Sequence, residues 1–396
     1  MSIDENIEKM KSIQDVLLRF LEDESKAEYI FDHFVRLVTT LKIINDKYEF
    51  KALLQIINRI AYGHQRVPNF ISKIEQLLRH FKTEIQKYFS NSEILEIFTS
   101  NRRILLFLIE EKVMVVDEYI FSKFTSFDYG VKKFDEYFQP EIKLLLTKEN
   151  IEKYGSKNES LKDAEFIEQM NNEVEENFYE KRREGENDDY LCELIRNNKI
   201  KEFITFVEQT NLRLEIEIKE SDFETNQLLI QECKISFHKK NRIDLIEYAS
   251  FYGSLDIIKY MQMKGVKLTS EMWKYAIHSR NVELIRYLEE NHVSPPDNNY
   301  EEILKESIKC HHNDISNYII ENLIKEEDLQ NNIEDNYYHN LYQYAAKFHN
   351  YCFFPTNMKY KNMFFYLCEF DYYTLVNLYL SEGTIDINAK IKTSII

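Results

Sequence analysis

Glycine and proline are scarce in this chain, with seven and five among 396 residues. Strands need many turn residues to reverse direction, so the shortage argues against an all-β fold and predicts helices joined by polar loops. It also removes the glycine-rich phosphate loops: neither GxGxxG nor GxxxxGK occurs. HExxH and the GxSxG elbow are absent too. Cysteines stand at 192, 233, 310, 352 and 368, an odd number with no CxxC pair. That scatter predicts reduced thiols in an intracellular protein, cytoplasmic or nuclear. No apolar run exceeds six residues, as in ILLFLI at 104–109, against the roughly 20 needed to span a bilayer. The opening MSIDENIEKM is acidic and lacks the basic-then-apolar order of a secretory leader. No membrane span is expected.

Acid and aromatic residues are what the chain has in plenty. Hydrophobic residues make up 44%, enough for a sizeable core, and the 27 Tyr and 27 Phe against one Trp make that core aromatic. The net charge of −17 is uneven. Residues 1–150 hold 22 basic and 24 acidic side chains, and residues 151–396 hold 29 and 44. An acidic C-terminal half repels nucleic acid and anionic lipid, whose binding rests on Lys and Arg. It suits a basic protein partner.

Residues 1–154 read as a helical N-terminal region. Ile7, Met10, Ile13, Val16 and Leu17 keep the helical three-four rhythm. Further helices are predicted near 27–45, 50–62, 69–89 and 102–112, with Ser92 as an N-cap and Arg102-Arg103 on a solvated face. Residues 151–190 carry 13 acidic and 6 basic side chains, so 155–190 is expected to be an acidic linker or a solvated helix.

Residues 191–396 repeat. LIEYASFYGSLDIIKYMQMKGV (245–266), MWKYAIHSRNVELIRYLEENHV (272–293) and ILKESIKCHHNDISNYIIENLI (303–324) align without gaps. Small residues coincide at Ala249, Ala276 and Ser307. Turns coincide at Gly253, Arg280 and His311, acids at Asp256, Glu283 and Asp314, and tyrosines at Tyr260, Tyr287 and Tyr318. A fourth copy spans 363–385, with Leu367 at the small position and Gly383 matching Gly265. Weaker relatives lie at 191–212 and 341–350. Each copy reads as a short helix, a tight turn and a longer helix, and such pairs bury their apolar faces only by stacking.

This pattern resembles the ankyrin repeat, with Ala249, Gly253 and Gly265 at the family's small and glycine positions and 383–390 like its lead into a next unit. More closely it resembles the lineage-expanded ankyrin-repeat proteins of trichomonad-type protists, in which a helical N-terminal region precedes a domain of unknown function made of divergent repeats. The Thr-Pro-Leu-His opening is missing. Copies starting at Leu245, Met272 and Ile303 step by 27 and 31 residues, against about 33 in ankyrins. The resemblance implies an all-α, stacked helix–turn–helix solenoid that binds a partner protein. It implies contacts on the segments entering the first helices: Thr269, Ser270, Lys274, Tyr300 and Glu301.

One stretch, CHHND at 310–314, has metal-ligand chemistry. In the alignment it fills a turn, with Asn313 and Asp314 placed to cap the next helix. Neighbouring residues on a helix diverge by about 100° and cannot converge on one ion. A structural turn is therefore expected, and replacing both histidines is expected to cost little. Trp273 falls on an apolar helix position and is expected in the core. The leading expectation is a non-catalytic scaffold without cofactor or metal. The alternatives are an enzyme or metalloprotein with a site assembled from distant residues, and an adaptor recruited through its N-terminal region. The apolar helix 374–380 needs a cover, expected from the tail 386–396 or from self-association at that end.

Overall fold

The computed structural model describes residues 2–63, 67, 69–125, 134–154, 159–230, 243–324, 334–355 and 362–382. The fold is all-helical. Among the described residues no strand forms beyond one antiparallel bridge, Glu217 with Asp244. No described helix is long and apolar enough to cross a membrane. The chain divides into two compact units, Met1–Ile74 with Pro295–Ile396, and Glu75–Ser294. The composition shift at 155–190 falls inside the second unit, and the N-terminal helices are shared between the two.

In the second unit three helix pairs follow the repeat pattern: Tyr190–Arg196 with Ile200–Thr210, Leu245–Tyr252 with Leu255–Met263, and Met272–Ser279 with Val282–Glu290. The three first helices pack side by side in chain order, and Ile200–Thr210 packs on Leu255–Met263. Ala249 and Ala276 are fully buried, as small residues at a close helix–helix approach should be. A left-handed residue ends each first helix: Asn198, Gly253 and Arg280, with φ of 47°, 66° and 51°. Carbonyls left open at a helix C-terminus need donors, and a left-handed residue turns the following N–H back onto them. Ser254 N–H thus reaches Ala249 O at 2.9 Å, and Lys199 N–H reaches Leu194 O at 2.9 Å. Gly253 is needed twice over, since a Cβ there would sit 3.2 Å from Asn281 in addition to the positive φ. The Asn281 amide donates to Gly253 O at 3.0 Å and its oxygen caps Glu283 and Leu284, so consecutive repeats are clipped turn to turn. Trp273 is core, its indole N–H donating to Val293 O at 2.7 Å.

The rest of the second unit corrects three expectations. The acidic stretch is packed, not solvated: Leu161, Phe166, Met170, Phe178 and Arg182 are buried. Arg182 forms a fork on Glu141 at 2.7 and 3.1 Å, tying helix Phe178–Glu184 to helix Gln139–Leu145. A few anchors at helical spacing hold such a segment while its acids face water. Arg102 is buried too, over the Tyr137 ring and donating to Glu224 O, while Arg103 pairs with Glu75. Helix Asn91–Phe98 is capped by Ser90 rather than Ser92, because only Ser90 has a glutamate three residues on to complete the capping box.

In the first unit the repeats continue. Helix Glu301–Lys309 packs on Glu334–Lys347, which packs on Met363–Glu369. Their turns use His311, His349 and Asp371 at φ 57°, 54° and 66°. The bonds to the small position recur: His312 to Ser307, Asn350 to Ala345 and Tyr372 to Leu367, at 3.0, 2.9 and 2.9 Å. Helix Ile3–Glu22 starts at a Ser2–Glu5 capping box and buries the predicted stripe. Helices Ile3–Glu22 and Lys47–Gly63 both pack on the last described helix, Tyr373–Glu382, and Tyr48 stacks on Tyr373 with centroids 3.6 Å apart. N-terminal helices therefore lie on the helix for which a cover was expected from 386–396. That tail lies outside the described residues.

Candidate functional site

Among the described residues of the second unit, two places gather side chains with chemistry. The first is an open groove at the edge of the second unit's repeats. Gln262, Lys267 and Leu268 bound one side, Asn291 and His292 the other, and Ser270 lies in it. The groove exists because two loops leave their helices in the same direction, a consequence of the shared register. Gln262 donates to Asn291 at 3.1 Å and accepts from the Tyr287 hydroxyl, which holds the loops side by side.

Of the five contact residues drawn from the family resemblance, Thr269, Ser270 and Lys274 belong to this unit. Thr269 is half-buried, its hydroxyl donating to Glu247 at 3.5 Å, and Lys274 is half-exposed on helix Met272–Ser279. Tyr300 and Glu301 belong to the first unit. Glu301 is turned inward, accepting from Asn340 at 2.6 Å and Tyr344 at 3.2 Å.

CHHND is a turn, as the alignment placed it, but a buried one. Cys310, His311 and His312 are all nearly inaccessible, so they are not ordinary surface positions. Both His311 ring nitrogens face carbonyls, Lys309 O at 3.3 Å and His349 O at 3.4 Å. Neither Asn313 nor Asp314 caps the next helix, which begins at Asn313 itself. Asn313 instead accepts from Asn350 at 2.8 Å, and Asp314 is exposed in the first turn, where its charge suits the helix dipole.

The second place is a buried polar cluster that sequence reasoning missed. Glu224 comes from the loop that follows Glu217, Cys192 and Arg196 from one turn of helix Tyr190–Arg196, and Tyr248 and Tyr252 from one turn of helix Leu245–Tyr252. Arg196 donates to Asn187 O and to the Tyr248 hydroxyl at 3.2 Å, and its Nε pairs with Glu186 at 2.7 Å. Burial works against this cation, yet Tyr248 and Glu186 hold its pKa above the ordinary value. Glu224 accepts Asn226 N–H at 2.8 Å through one oxygen, while the other has no partner. Burial pushes its carboxyl up to about 7, with Glu186 adding to the rise and the Asn226 bond opposing it. Burial likewise pushes the Cys192 thiol up to about 12, so it stays protonated and a poor nucleophile at neutral pH. The cluster can take up or release a proton near neutrality at Glu224. Nothing in the sequence marks that residue, since it sits in a loop without periodicity.

No protein-family model, curated protein or solved structure matches the chain.

Proposed function

We propose that this protein is a non-catalytic scaffold, a divergent ankyrin-like repeat protein that binds a partner protein along the open edge of its repeats. The observation that carries this reading is the Gln262 bridge to Asn291 and Tyr287, which holds two successive exit loops side by side along the groove around Ser270 and Asn291. Repeat arrays use such aligned edges as extended recognition surfaces. The net charge of −17 favours a partner with a basic face and disfavours nucleic acid. The proposed place of action is the cytoplasm or nucleus.

The test is site-specific photo-crosslinking in cells. A photo-reactive residue at Ser270 or Lys267 should join one protein partner, and the same residue at exposed Glu168 should not. Lys267→Glu with Asn291→Arg should abolish the crosslink without lowering Tm. Equal labelling at all three positions, or none in the groove, rejects the reading.

A further inference from the structure

Tyr48 and Tyr373 stand in the first turns of two helices, Lys47–Gly63 and Tyr373–Glu382, that are far apart in the chain and pack together in the first unit. Their rings stack with centroids 3.6 Å apart and planes at 17°. The two hydroxyls share a hydrogen bond, so the rings lie head to head with their phenol ends together. Each side of the stack is held on its own. Asp46 accepts the N–H groups of Tyr48 and Glu49, both at 2.9 Å. Tyr372, beside Tyr373, is buried and donates its hydroxyl to Ala346 O at 2.8 Å. Lys51, one turn beyond Tyr48, pairs with Asp371, two residues before Tyr373.

Exposure sets this pair apart. Tyr48 is 41% and Tyr373 46% exposed, although each ring covers a face of the other. Other tyrosine pairs are arranged differently. Tyr248 and Tyr252 lie at 50° and Tyr351 and Tyr372 at 69°, and Tyr248, Tyr351 and Tyr372 are buried. Ring quadrupoles favour offset or edge-on contacts, so packing alone does not call for two phenols almost face to face at the surface. A reagent in solution reaches Tyr48 and Tyr373 before the other two pairs.

We propose that Tyr48 and Tyr373 are a site of oxidative modification, joined into a dityrosine by a peroxidase-class one-electron oxidant with hydrogen peroxide as the final electron acceptor. Each phenol gives up one electron and its hydroxyl proton, leaving two phenoxyl radicals. The radicals couple through the ring carbons next to the oxygens, which the head-to-head stack brings over one another. Each of those carbons then loses its hydrogen as a proton, and each oxygen regains one, which restores both aromatic rings. Two phenols and one hydrogen peroxide give one dityrosine and two waters. The new bond staples helix Lys47–Gly63 to helix Tyr373–Glu382. Like a disulfide that closes a long loop, it restricts the unfolded chain more than the folded one. The site is independent of the partner groove, which lies in the other unit.

The test treats the dilute full chain with a peroxidase and excess hydrogen peroxide, then maps the monomer by digestion and mass spectrometry. Peptides joined at Tyr48 and Tyr373, two hydrogens lighter than their sum, should appear together with dityrosine fluorescence. Their yield should exceed that of any other tyrosine pair at least tenfold. Tyr48→Phe and Tyr373→Phe keep the ring and remove the phenol, and each should abolish the joined peptides. Tyr29→Phe, at a tyrosine 67% exposed, should leave them unchanged. The joined monomer should melt at a higher temperature than the Tyr48→Phe chain treated in the same way. Should a Phe variant fail to fold, the wild-type map still decides, with the chain unfolded in urea as its control, where the preference for this pair should vanish. Coupling spread evenly over exposed tyrosines, coupling only between chains, or an equal preference in urea overturns the proposal. An unchanged melting temperature rejects the staple.

Discussion

Single residues here carry consequences that residue type does not announce. Glu224 is the sharpest. Its carboxyl titrates at about 7 in the folded chain against an ordinary 4.5. The folded state therefore holds its proton more tightly than the unfolded state does. Its contribution is favourable below 4.5 and is lost as pH rises towards 7, a change of about 3 kcal/mol by linkage. Glu224→Gln keeps the acceptor for Asn226 N–H and removes the ionisation. Melting from pH 5 to pH 8 should therefore destabilise the wild type relative to the variant. Parallel pH profiles would refute the buried, unpartnered carboxylate.

The histidines of CHHND make the opposite point. His311 serves as a left-handed turn residue and His312 follows it, and both are buried. Replacing both by Ser should cost about 1–3 kcal/mol, since both rings are buried and His311 holds bonds through its two nitrogens. Asp314→Ser, at an exposed position, should stay within about 0.5 kcal/mol. Chemical denaturation of the two variants checks this. The turn was legible from the alignment. The burial was not, because it depends on the Gly63 approach from a helix far away in sequence.

Among elements, the recurring unit is a first helix closed by a left-handed residue, then a second helix. The signal in the sequence was the register of small residues and turns. It located Gly253, Arg280 and His311 correctly, and the structure extends the same turn to Asn198, His349 and Asp371. The spacing of those six turns is irregular, so only a shared backbone conformation reveals them as equivalent. Ala276 is fully buried where helix Met272–Ser279 meets its neighbour. Ala276→Leu should lower stability by about 1–3 kcal/mol through overpacking, while Glu290→Ala, on the solvent side, should not. Gly253→Ala should cost about 1–2 kcal/mol, from the positive φ and the crowding by Asn281. If differential scanning calorimetry finds Ala276→Leu neutral, the close helix contact is wrong.

At the scale of the molecule, the units do not follow the composition. Helices Ile3–Glu22 and Lys47–Gly63 close over the last described helix, Tyr373–Glu382, burying Leu375 and Tyr379. Removing residues 1–22 should therefore strip hydrogen-exchange protection from 373–382, the opposite end of the chain. Undiminished protection there would show that the N-terminal helix is not its cover.

The sequence by itself determined the helical class, through scarce glycine and proline and the three-four apolar rhythm, and it determined the repeat register from 245 onward. The first is local, set by spacing along one or two turns of chain, and the second is a pattern of residue types that recurs every 27 to 31 residues. Tertiary structure alone decided that the acidic stretch is packed, that the N-terminal helices join the last repeats, and that Glu224 and His349 sit with unpartnered atoms in buried surroundings. Those facts depend on which distant segments share a volume and how much water they exclude. Burial and neighbouring charge, which set the pKa of Glu224 and His349, arise only when the chain has closed on itself.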